Sequence, residues 1–317
     1  MELKILSFPE KYYNLLCDIL DFPLSFFFAE TTQFRANAFY YRKNLQIPQK
    51  VLQQAEAKMN ICKMHIEKLL RSVELTLVNL PNWDIDENGN AELCANYLRE
   101  YWRLPKGRID DLIKTVESNG IIVIPIDLST AKVDALSIFT NTNQPIIFIN
   151  NNISADRQRF NIAHELGHLI MHFAKPISQD RDIESEAMIF ASSFLLPKTE
   201  ILPHLLQLNL LKLADLKRYW KVSMAAILMR AKNIHTITEN QYQYLWKQMA
   251  INGYKMEEPI FFAKEKPKLL KEMIDLHIKK LNYSDEELAK GLNLYVNEFR
   301  KLYLDSANVF RVLKNEN

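Results

Sequence analysis

His164, Glu165 and His168 fall in the stretch Phe160-Asn-Ile-Ala-His-Glu-Leu-Gly-His-Leu-Ile-Met-His172, and this stretch restricts the fold more than any other. Two histidines at i and i+4 share one face of a helix. The apolar residues around them (Phe160, Ile162, Ala163, Leu166, Leu169 and Ile170) predict that the helix is buried. Buried imidazoles beside a buried carboxylate need a partner. The fold must therefore bring further polar groups to this helix, predicted over about 155–173. Ser154 stands at its expected N-cap, with Asp156 in the first turn.

The upstream pattern supplies a small sheet. The β-branched run at 120–127 reads as a buried strand, and ALSIF (135–139) and PIIFIN (145–150) read as a hairpin across TNTNQ. Elsewhere the periodicity is helical. Residues 9–20 form a short helix. A long one is predicted from Pro48 to about Glu74, with Val51, Ala55, Met59, Cys62, Ile66 and Leu69 at three- and four-residue steps. Residues 91–102 and 106–118 predict two more, the second ending at Asn119-Gly120. A helix at about 182–196 follows the histidine helix and stops at Leu196-Pro197, and 199–317 is again helix-rich. The expected fold is α+β and mostly helical, with about three strands packed on the His164–His168 helix. Three regions are expected: a helical N-terminal region over 1–80, a core over 81–252, and a helical C-terminal extension over 253–317. That extension reads equally as a docking or regulatory element and as completion of the core.

Composition excludes several alternatives. The 317 residues carry 40 basic and 38 acidic side chains, a net charge of +2, so the whole chain has no electrostatic drive toward nucleic acid. Three distant cysteines (Cys17, Cys62 and Cys94) make neither a disulfide framework nor a CxxC metal site. No leader-like or membrane-spanning apolar run is present, and the expected location is the cytoplasm.

His164 and His168 at this spacing can both meet one zinc ion. Glu165 is placed to act as general base without occupying a ligand position. A catalytic zinc takes a third protein ligand. A histidine six residues after His168 is excluded, since that position is Ala174. Glu184 shares a helix face with Ala187, Met188 and Ala191 and is the expected third ligand. Glu186 is the alternative, about 200° round the same helix. His172 reads as a group behind the ligands or a surface histidine rather than a ligand, and Arg159 as a substrate-positioning group or, more simply, the ion-pair partner of Glu186 or Asp156. Histidines 65, 204, 235 and 277 stand alone and read as structural.

The two motifs RFNIAHELGHLIMH and ESEAMIFASSFLLP together resemble those of the ImmA/IrrE metallopeptidases, over roughly residues 90–252. The resemblance implies a zincin-like core with one catalytic zinc, held by His164, His168 and Glu184. It implies a metallo-endopeptidase that cleaves a partner repressor or antitoxin, with nearby genes as candidate sources, and so switches on stress, prophage or defence genes. A rival class is a metal-containing regulator or toxin–antitoxin component that acts by binding alone. FPEKYYNLLCDILDFPLSFFF (8–28) resembles only the last helix of a Cro-type DNA-binding domain and its linker. The helices that would enter the major groove find no counterpart here, which argues against DNA binding.

Overall fold

The computed structural model describes residues 9–29, 49–75, 77–127, 134–173 and 181–304. The chain divides into two compact units. One comprises residues 76–270 and the other residues 1–75 together with 271–317. The helices in chain order are α1 (Tyr13–Leu20), α2 (Leu24–Phe27), α3 (Gln49–Leu69), α4 (Ile85–Asn88), α5 (Ala91–Tyr101) and α6 (Leu112–Ser118). Strands β1 (Ile122–Ile126), β2 (Ala135–Phe139) and β3 (Pro145–Asn150) come next. They are followed by α7 (Ala155–Met171), α8 (Ile183–Leu195), α9 (Lys198–Ile201), α10 (Leu210–Trp220), α11 (Met224–Asn233) and α12 (Glu239–Ile251). The last elements are α13 (Leu269–Lys279), α14 (Asp285–Leu292) and α15 (Val296–Phe299). The protein is thus α+β and mostly helical, as the sequence predicts.

In the unit of residues 76–270 the strand order is β1-β3-β2. β3 lies parallel to β1, with Val123 opposite Ile147, and antiparallel to β2, with Ser137 opposite Ile147. Its central place explains why every residue of β3 is buried. β2 pairs on one side only among the described residues. The predicted hairpin is therefore joined by a parallel partner, which needs a longer crossover. α7 lies across β2 and β3, α8 packs on α7, and α5 packs on α8. Phe148, Phe190, Phe194 and Trp220 are among the largest buried side chains of this core. The buried Arg99 guanidinium satisfies the carbonyls of Phe194, Pro105 and Gly107 at 2.8–2.9 Å.

The helix expected over 106–118 is shorter than its periodicity implies. Gly107 takes φ +87°, and Asp111 caps the helix by accepting from the Lys114 amide, so regular structure begins only at Leu112. Its end is as expected. Gly120 (φ +83°) donates to the Glu117 carbonyl and Ile121 to that of Val116, the paired bonds of a Schellman cap.

In the other unit α3 buries Ala55, Met59, Cys62, Ile66 and Leu69, the spacing read from sequence. Pro48, its expected first-turn residue, lies outside the described residues. The expected N-terminal helix opens with a 3-10 turn at Glu10–Tyr12 and continues as α1. α14 starts from a capping box between Ser284 and Glu287 and stops where Asn293 turns left-handed (φ +60°). His65 on α3 pairs with the Tyr303 hydroxyl at 2.6 Å, both buried. Among the described residues no helix is long and apolar enough to cross a membrane.

Candidate metal centre

α7 begins after Ser154, which occupies the N-cap position without a side-chain cap bond to a helix amide. Asp156 in the first turn instead ties the helix to Lys217 on α10, at 2.8 Å. Two turns on, His164 and His168 turn their Nε2 atoms toward each other, 3.0 Å apart. α8 crosses at this level because Gly167 lets it approach. A Cβ on Gly167 would lie 2.9 Å from Phe190 Cδ1 and within 3.2 Å of two further Phe190 atoms. That approach places the Glu184 carboxylate 3.3 Å from His164 Nε2 and 3.5 Å from His168 Nε2.

These three residues form the one cluster of possible metal ligands among the described residues, with all their ligand atoms within 4.8 Å of one another. Donors about 2.0–2.1 Å from a tetrahedral zinc ion lie about 3.4 Å apart; the two imidazole Nε2 atoms are 3.0 Å apart, and the two Glu184 oxygens stand at comparable distances, Oε2 3.3 Å from His164 and Oε1 3.5 Å from His168. Burial, then the neighbouring His164 and His172, hold the His168 imidazole well below its ordinary value. His168 is therefore neutral, as a metal ligand must be. The Glu184 side chain is 34% exposed, so the site opens on its carboxylate side.

Glu165 points to the sheet face of the helix and is almost fully buried. Its Oε2 accepts from the Ser137 hydroxyl at 2.6 Å. Burial raises its carboxyl above the usual range, against the opposing pull of His164 and the Ser137 bond. Sequence reasoning passed over Ser137. The one available signal was a lone hydroxyl in the middle of an otherwise apolar strand.

The other expected site residues take separate places. Glu186 is turned from the cluster, with Oε2 2.9 Å from His172 Nε2 and Oε1 accepting from Arg181 Nε at 2.7 Å. His172 sits behind His168, the two Nδ1 atoms 2.8 Å apart. The pairing of Arg159 with Glu186 or Asp156 is not found. Both carboxylates have other partners, and Arg159 binds Glu265 and the Ile109 carbonyl. Ala187 and Ala191 are buried beside Glu184 as expected, whereas Met188 stays 49% exposed on the open side.

Residues 116–232 match the model of the IrrE N-terminal-like domain of the M78 peptidases, a span that holds His164, His168, Glu184 and Glu165. No curated protein matches the chain.

Proposed function

We propose that this chain, whose residues 116–232 match the IrrE N-terminal-like domain model of a peptidase family, is a zinc-dependent endopeptidase acting on a partner protein. The observation that carries the reading is the convergence of His164, His168 and Glu184 within 4.8 Å beside the buried Glu165 carboxylate. Zinc, when bound, acts as a Lewis acid and lowers the pKa of water to about 7. Glu165 is the general base. Its carboxylate takes the proton from the attacking water and returns it to the leaving amine nitrogen. Ser137 fixes that carboxylate by donating to Oε2. The side of β2 that is unpaired among the described residues is suited to align an extended peptide by main-chain hydrogen bonds. A repressor or antitoxin as substrate follows from the resemblance of the two motifs. The three cysteines are free and buried, which suits the cytoplasm.

The test is Glu165→Gln. The variant is expected to hold zinc as tightly as the parent and to lose cleavage of a co-purified or neighbouring-gene repressor by at least about a thousandfold, the combined loss of acid and base roles. Cleavage at the parent rate would remove Glu165 from the mechanism. Zinc loss with cleavage intact would remove the metal.

A further inference from the structure

Behind the three clustered ligands, one continuous row of hydrogen bonds leads from His168 out to the surface. His168 Nδ1 lies 2.8 Å from His172 Nδ1, and His172 Nε2 lies 2.9 Å from Glu186 Oε2. Arg181 Nε donates to the other oxygen of Glu186 at 2.7 Å. The outer edge of the Arg181 guanidinium is 3.6 Å from Asp86. His164 has nothing equivalent, since its Nδ1 is buried without a partner among the described residues.

The chemistry of the row gives it a direction. A carboxylate only accepts, so Glu186 requires the proton of His172 on Nε2. His172 Nδ1 is then an acceptor, and its partner among the described residues is His168 Nδ1, which must carry the proton. That leaves the lone pair of His168 on Nε2, the atom facing His164 and Glu184. Each link thus fixes the tautomer of the next, and the charge of Arg181 holds the far end in place.

We propose that His172, Glu186 and Arg181 are positioning residues that lock His168 in its Nδ1–H tautomer and thereby set the affinity of the His164–His168–Glu184 cluster for zinc. The inference rests on the reading of that cluster as a metal site. His168 is the oriented ligand, and His164 adapts to it. Glu186 follows Glu184 by two positions but does different work, because the turn of α8 carries it from the mouth of the site to the row behind it.

The experiment is competition for zinc against a chromogenic chelator, together with thermal melts of the metal-free proteins. The proteins compared are the full-length parent and its His172→Leu, His172→Gln and Glu186→Leu variants. A glutamine amide can both accept from His168 and donate to Glu186, whereas leucine can do neither. The expected result is a zinc dissociation constant raised about 10–100-fold in His172→Leu and Glu186→Leu. His172→Gln should stay within about threefold of the parent, and the metal-free melts of the two His172 variants should coincide. Equal affinity of the Leu and Gln variants at position 172 would overturn the proposal. If His172→Leu does not fold, Glu186→Leu decides, and parent-like affinity there would overturn it. A parent chain that binds no zinc would overturn the metal-site reading itself, whereas a parent that binds and variants that match it would overturn only the row.

Discussion

Ser137 and Glu165 show how much a single bond at the residue scale is asked to do. A buried carboxylate can rotate away from its task unless something holds it, and the 2.6 Å bond from Ser137 is a contact that does so. Hydrogen bonds to charged groups contribute about 1.5–3 kcal/mol. Ser137→Ala should therefore lower kcat about 10–100-fold while leaving the zinc dissociation constant unchanged. Steady-state cleavage alongside chelator competition would check both halves, and a parallel loss of zinc would assign Ser137 to the metal site instead. His164, Glu165 and His168 were legible because their meaning lies in local spacing, i and i+4 on an apolar helix. Ser137 was not, because a strand hydroxyl acquires meaning only from what the sheet lays against it, and Glu165 is 28 residues away.

At the scale of elements, the approach of α7 and α8 decides the site. The helix pattern predicted both helices, and a helical wheel placed Glu184 and Glu186 on different sides of α8. What the wheel could not supply was the depth of the crossing, which depends on Gly167 against Phe190. Gly167→Ala separates the two effects. Alanine favours a helix interior by about 1 kcal/mol, but overpacking a tight contact costs about 1–3 kcal/mol. The new methyl group meets the Cβ, Cγ and Cδ1 atoms of Phe190, so rotation of the ring tip cannot relieve it. The expected outcome is a net loss of up to about 2 kcal/mol in urea unfolding, with α8 pushed outward and zinc affinity reduced beyond what the stability change accounts for. Unchanged zinc affinity would show that the crossing has slack. The short reach of α6 carries a related lesson. Ile109 extends the apolar face of Leu112, Ile113 and Val116 back toward 106, but Gly107 and the cap at Asp111 override it.

Across the whole unit of residues 76–270, the stretch after α12 is fastened by carboxylates to distant backbone. Glu258 accepts from the amides of Met224 and Ala225 at the start of α11, and also from Lys217. Glu117 accepts from the amides of Lys268 and Leu269. Glu265 takes the Ile113 amide at the start of α6, along with the guanidinium of Arg159 on α7. None of this was legible in the sequence, because each bond spans 33 to 152 residues and follows no period. It also explains why Arg159, five residues before His164, does not serve the open side of the site. Arg159 is 3% exposed, so removing its partner strands a buried charge. Breaking such a pair on one side costs about 3–5 kcal/mol, whereas replacing both partners by apolar groups of similar volume is often close to neutral. Glu265→Ala should therefore lower the urea midpoint strongly, and Arg159→Met combined with Glu265→Met should recover most of the loss. If the double variant is as unstable as the single, the cost lies in the amide of Ile113 left without its acceptor rather than in the stranded charge. The anchor of α6 then matters more than the ion pair.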